Sequence, residues 1–271
     1  MRKIVFILLL FVAFSINVPA QWTDFPAGYD AVPEIKLKGA VHTVLTVDLS
    51  GDTRVEIFDA DGKRIEMLTH RADVDDDGVR IRLNLKITFT YDANGKLIKE
   101  SRSFSNGQQF GYSTYIYDST NRLSEKIDYS ANGEKVSKTT YTYFPQKKQV
   151  EVDWITLKSD GKPNSSTKVS LFYNEKNQWI KRTDLDSLNE DGSTYSGDFI
   201  TFEYDEKGNV INNAHCCKYR FSHRYNYEFD NQGNWIERQD TSIKFNKATG
   251  KETVEPNKTQ TYRIITYYSK N

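Results

Sequence analysis

Apolar and polar residues alternate through long stretches of this chain. Leu85, Ile87, Phe89 and Tyr91 are separated by Lys86, Thr88 and Thr90, and Tyr225, Tyr227 and Phe229 by Asn226 and Glu228. Phe202 and Tyr204 flank Glu203 in the same way. A period of two is the mark of a strand with one buried face. Each run ends at a turn, and a second short run follows, such as Leu97-Ile98 or Trp235-Ile236.

The turns repeat. Phe58-Asp59-Ala60-Asp61-Gly62, Tyr91-Asp92-Ala93-Asn94-Gly95, Tyr117-Asp118-Ser119-Thr120-Asn121, Tyr143-Phe144-Pro145-Gln146-Lys147, Tyr173-Asn174-Glu175-Lys176-Asn177, Tyr204-Asp205-Glu206-Lys207-Gly208 and Phe229-Asp230-Asn231-Gln232-Gly233 lie 25–33 residues apart. That spacing is the sign of a repeat architecture. Asp or Asn in the second slot accepts bonds from backbone two residues on, and Gly or Asn in the fifth tolerates positive φ. Together they predict a type I turn closed by a left-handed residue. Pro145 presets the turn dihedral in the divergent copy. Looser turns, at Asn106-Gly107, Asn132-Gly133, Asp160-Gly161, Asp191-Gly192 and Lys247 to Gly250, join the units. The pattern predicts an all-β chain, a meander of roughly 14–16 antiparallel strands forming a large curled sheet or open barrel-like array.

Tyr-Asp-x-x-Gly-Asn followed by an apolar residue resembles the YD repeat of the RHS and teneurin families. Tyr204 to Val210 fits it fully, Phe229 to Trp235 differs only in Phe for Tyr, and the likeness extends over roughly residues 55–240. It implies a β-hairpin repeat architecture.

The ends of the chain add a destination. Arg2 and Lys3 precede an apolar run from Ile4 to Phe14, and Val18-Pro19-Ala20 supplies small residues before Gln21. This order reads as a secretory signal peptide over residues 1–20. A leading strand and cap over 21–54 then precede the YD-like repeat domain, 55–271. The protein is expected to be exported, to the periplasm, the cell surface or the medium. Without Arg2 and Lys3 the 37 basic residues become 35 against 37 acidic ones. A net charge near −2 gives no reason to expect nucleic acid as a partner, and no later segment reads as a transmembrane helix. Two cysteines, Cys216 and Cys217, exclude a disulfide scaffold.

Candidate chemistry is sparse. Asp73-Val74-Asp75-Asp76-Asp77-Gly78 opens like a calcium loop, with Asp73, Asp75 and Asp77 as ligands, but Asn84 stands where the bidentate Glu belongs. The alternative is a solvated acidic loop. His215, Cys216, Cys217 and His223 invite a metal reading, which a continuous strand opposes by placing His223 about 20 Å from Cys217. Trp154, Trp179 and Trp235 are candidates for stacking on a glycan, against the ordinary role of packing across strands. No Gly-x-Ser-x-Gly, His-Glu-x-x-His or phosphate loop occurs, so no catalytic residue is assigned. Three functions compete: an exported binding or scaffolding module for a protein or glycan, an outer-membrane β-barrel, and a hydrolase on a β scaffold. N-terminal sequencing of the exported protein should begin at Gln21; a start at Met1 overturns the leader assignment.

Overall fold

The computed structural model describes residues 37–49, 51–74, 80–188, 194–195, 198–216, 221–245, 249 and 251–269. The strands are β1 (Val41–Asp48), β2 (Thr53–Phe58), β3 (Arg64–Val74), β4 (Arg80–Tyr91), β5 (Leu97–Phe104) and β6 (Gln109–Tyr117). Then come β7 (Leu123–Ser130), β8 (Lys135–Phe144), β9 (Gln149–Leu157), β10 (Pro163–Tyr173) and β11 (Trp179–Leu188). The last six are β12 (Thr194–Tyr195), β13 (Phe199–Tyr204), β14 (Val210–Cys216), β15 (Phe221–Phe229), β16 (Trp235–Phe245) and β17 (Glu252–Tyr267).

Apart from the two-residue β12, the strands pair antiparallel in chain order, and β1 pairs with β17 from Val41↔Tyr267 to Asp48↔Thr261. The sheet therefore closes on itself. The two-residue β12 pairs only with β11, which also pairs with β13, so seventeen strands less β12 give a ring of sixteen staves. The meander expected from the sequence is present, and its end state is a closed barrel. β1 is the closing stave, bonded to β2 on one side and β17 on the other.

Strands alternate in direction, so the seven tyrosine- or phenylalanine-led turns share one rim with the start of β1 and the end of β17. Gly62, Gly95, Asn121, Asn177, Gly208 and Gly233 all have positive φ, as their fifth slots require. In the Asp92 copy, the Asp92 amide donates to the Lys96 carbonyl at 2.8 Å and Gly95 donates to the Asp92 carbonyl at 2.9 Å. Asp92 Oδ1 also accepts the amides of Asn94 and Lys96. The divergent copy differs by one position. Pro145–Lys147 form a 3-10 turn, and the left-handed residue is Lys148 rather than Lys147. The opposite rim is tighter than its sequence suggests. Gly51, Gly107, Gly133 and Gly161 have positive φ and close their turns with the same pair of backbone bonds.

Bulges decide which side chains face the axis. In most units the second strand starts with an inward apolar residue, then an extra outward residue, and the alternation resumes one position late. The extra residues Ile65, Ile98, Ile180 and Ile211 are exposed, and the register shifts lie beside them. Axis-facing side chains converge in a closed barrel and outward ones diverge. Accordingly one face holds the buried cluster of Phe89, Leu97, Tyr115, Leu123, Tyr141, Val150, Val152, Val169 and Leu171, and a second of Ile200, Phe202, Val210 and Tyr225.

The repeated tyrosine bridges staves at the turn rim. Tyr91 Oη donates to the Arg64 carbonyl, Tyr117 to Leu97, Tyr143 to Leu123 and Tyr204 to Trp179, and Tyr227, two residues before the Phe229 slot, donates to Val210, at 2.6–2.9 Å. Each bond joins one hairpin to the preceding one. Burial pushes the Tyr117 and Tyr143 hydroxyls up to about 12, so they remain donors. Asn234 fastens the seam. Its Oδ1 accepts the Lys38 amide, and its Nδ2 donates to the Lys38 carbonyl and to Tyr267 Oη. Tyr204→Phe should lower stability in urea unfolding by about 1 kcal/mol. Tyr262→Phe, on an outward hydroxyl, should change it by less than about 0.5 kcal/mol.

Candidate functional site

The inner wall is not uniformly apolar. A belt of charged residues lies one layer in from the turn rim. The second strands place them at a fixed offset: Glu100 and Arg102 after Leu97, Lys126 and Asp128 after Leu123, Arg182 and Asp184 after Trp179, and Arg238 and Asp240 after Trp235. In the Val210 unit the same offset holds Asn213 and His215. The bulge brings these fourth and sixth positions, at odd offsets, onto the same face as the first. Sequence reasoning missed the belt, although its recurring spacing was there to be found.

Asp128 is the most heavily bonded member. Its carboxylate accepts Ser113 Oγ at 2.5 Å and Ser137 Oγ at 2.6 Å, with Arg102 Nη2 at 3.2 Å and Lys126 Nζ at 3.5 Å. Burial opposes its ionisation, but the Lys126 charge, the two serine hydroxyls and Arg102 prevail and hold its carboxyl below the usual range. Tyr141 lies in the same sector, and its buried hydroxyl has no hydrogen-bond partner among the described residues. Elsewhere Glu56 is gripped by Arg64 at 2.7 Å and Arg54 at 3.3 Å, Asp184 by Arg182 at 3.2 Å, and Asp240 by His223 at 2.9 Å.

The three tryptophans part company. Trp235 is buried, with Tyr227 beside it and the Arg263 guanidinium 3.7 Å from its ring centre. Trp179 packs against the main cluster, and its carbonyl takes the Tyr204 bond. Trp154 sits opposite Thr139 on β8 and Thr167 on β10, so it points to the axis, yet it is 44% exposed. The other large exposed apolar side chains among the described residues lie on the outer face or in turns. Thr156, Ser165 and Ser137 continue the hydroxyl-rich wall beside it, and Thr156 bonds Ser165 at 2.6 Å.

His223 is nearer to His215 than a continuous strand allows. The chain reverses between β14 and β15, which sets the two imidazoles 6.3 Å apart, both facing inward with Phe221. Cys216 faces outward and is half-buried, and Cys217 lies outside the described residues. Among the described residues, no group of three His, Cys, Asp or Glu side chains is placed to hold a metal ion. Of the calcium candidates, the Asp73 backbone pairs with Ile81 at the end of β3, and Asp75 and Asp77 lie outside the described residues.

No family profile and no curated protein matches the chain. Solved structures do. A porin-like protein from Bacteroides uniformis is 9% identical over 85% of this chain and 99% of its own, with a TM-score of 0.41. A porin-like protein from Bacteroides vulgatus is 11% identical over 84% and 99%, with a TM-score of 0.45. A TcdB2–TccC3–Cdc42 structure is 14% identical, and the match covers 74% of this chain but only 12% of that one, at a TM-score of 0.24. At these scores the likenesses carry no function across.

The Asp128 network sets a pH dependence. A carboxyl with a depressed folded value contributes stability that is present above its unfolded value near 3.8 and is lost as pH falls through the folded one. Stability should therefore decline below about pH 4. Asp128→Asn should lower stability at pH 7 and flatten that acid decline, as urea midpoints at pH 7, 4 and 3 will show.

Proposed function

We propose that the protein is an exported, non-catalytic β-barrel that binds a glycan in its lumen while standing in an aqueous compartment of the cell envelope or outside the cell. The observation that carries this reading is Trp154, an exposed indole facing the axis of a closed barrel among hydroxyl side chains. An aromatic face offers large contact area at low conformational cost, and the surrounding hydroxyls suit a sugar. The inner carboxylates Glu56, Asp128 and Asp184 are each tied to a cation of the wall and Asp240 to the His223 imidazole, which favours binding over hydrolysis. The hairpins carry the YD-repeat turn, used here to build one small barrel.

The second reading is an outer-membrane barrel. Closure favours it, because a sheet with no free edge is the form in which strands cross lipid. An outward apolar row crosses four staves at the seam: Ile264 faces Leu45, Leu45 faces Val55, and Val55 faces Leu68. The rest of the outer wall favours water. Mid-strand ion pairs join Lys86 to Glu66 at 2.6 Å, Lys138 to Glu125 at 2.8 Å and Lys168 to Glu151 at 3.2 Å. A membrane strand needs about 9–11 residues and a continuous apolar band. β2 and β13 have six residues each and β14 has seven. No helix among the described residues is long and apolar enough to cross a membrane, which leaves strands as the only question.

Two measurements decide. Carbonate washing of membranes should release the protein; retention with the integral fraction replaces the aqueous reading. On a glycan array the mature protein should bind, and Trp154→Ala should lose at least tenfold in affinity with an unchanged melting temperature. Equal binding by the variant removes the lumen site.

A further inference from the structure

Trp154 stands on a border within the inner wall. Its neighbours toward the tyrosine rim are Tyr141, Val152 and Val169, all members of the buried apolar cluster. Toward the opposite rim they are Ser137, Thr156 and Ser165, and Thr139 and Thr167 flank the indole on its own level. None of these eight side chains carries a charge at neutral pH. Charged inward residues begin one stave further around the ring, at Lys126, Asp128 and Asp184, and each is already in an ion pair. An acidic or basic ring seated on the indole would give up hydration and meet no counter-ion in return.

The hydroxyl layer has a definite polarity. Ser137 Oγ gives its one proton to Asp128 Oδ2 at 2.6 Å, so it can only accept a further bond. Thr156 Oγ1 accepts the Ser165 amide at 3.1 Å, and the Thr156 and Ser165 hydroxyls share a single bond of 2.6 Å. Whichever of the two donates in that bond, one hydroxyl proton is left over. An acceptor on β8 and a donor on the neighbouring β9 or β10 thus stand in one row, with strands about 4.8 Å apart. Two hydroxyls on adjacent carbons of a sugar ring, one donating and one accepting, span that gap. Thr156 lies two residues along β9 from Trp154, roughly 7 Å, so a ring lying on the indole meets the row with its edge.

We propose, resting on the lumen-glycan reading and narrowing it, that the ligand is a neutral pyranose. Its C–H face lies on Trp154, and two adjacent hydroxyls at its edge are held by Ser137 as acceptor and by the Thr156–Ser165 pair as donor. Ser137 owes its role to Asp128, which takes the serine proton and fixes the direction of the bond that the sugar must make.

The test is titration calorimetry of the full chain with maltohexaose, cellohexaose, mannohexaose and xylohexaose, against hexagalacturonate and the glucosamine hexamer. At least one neutral oligosaccharide should bind, with an affinity unchanged within twofold between about 0.05 and 0.5 M sodium chloride, because screening acts only on charged partners. The double variant Thr156→Val/Ser165→Ala should weaken that binding at least tenfold, whereas each single variant keeps one free hydroxyl proton and should lose less. Ser166→Ala, on the outward face of β10, should leave it unchanged. Periodate cleavage of the ring diols in the bound oligosaccharide should abolish binding; this arm needs no variant and decides the matter if the double variant does not fold. Hexagalacturonate or the glucosamine hexamer binding alone, with Trp154→Ala abolishing it, overturns the neutral class and leaves the lumen site standing. Equal binding by wild type and the double variant, or by intact and periodate-cleaved sugar, overturns the hydroxyl assignment. Neutral binding that survives Trp154→Ala, or no binding by any of the six, overturns the lumen site and this inference with it.

Discussion

A single sheet without a second layer can bury a face only by curling until it meets itself. Everything else in this protein depends on that meeting, the β1–β17 pairing. Seven residue pairs stand in register there, and Asn234 ties Lys38 to Tyr267 just outside them. Closure removes both edges, which would otherwise offer unpaired backbone to other chains. It also makes the two faces unequal, which gives the tyrosines an inside to occupy. Tyr268 carries the tie past the seam, its hydroxyl donating to the Phe58 carbonyl at 2.6 Å.

The tyrosine serves two needs at once. Its ring supplies apolar area to a wall that has no facing layer, and its hydroxyl pairs with a carbonyl left over where a bulge interrupts the ladder. The accepting carbonyls belong to Leu97, Leu123, Trp179 and Val210, the residues that open the second strands. A buried carbonyl without a donor costs about as much as a lost hydrogen bond. That coupling explains why the aromatic slot is tyrosine in most copies, and it ties each hairpin to the one before it.

Much of this was legible in the sequence because turn chemistry is local. Asp92 and Gly95 specify their turn through their own backbone, and six of the seven fifth slots adopt positive φ as the residue types demand. Less local features were hidden. Nothing within a strand says that β1 and β17 will meet, so an open array and a closed barrel looked alike. The bulges mattered more. An extra residue such as Ile98 shifts the phase of alternation, so Glu100 and Arg102 share the inner face with Leu97 despite an odd offset. A strict period of two places them outside, and so the inner charged belt did not emerge. The Pro145 copy misled in the other direction, because its 3-10 turn takes one residue more before the left-handed position at Lys148.

Charge on both faces limits what the barrel can do. The outer wall carries ion pairs, Lys138 with Glu125 and Lys168 with Glu151. Inner charges have a different cost, since the wall is partly desolvated and each carboxylate must find its cation nearby. Around most of the ring that condition is met within a hairpin or between adjacent ones, as Asp128 shows with Arg102 and Lys126. The seam staves, which come from opposite ends of the chain, follow the same rule, with Glu56 held by both Arg54 and Arg64.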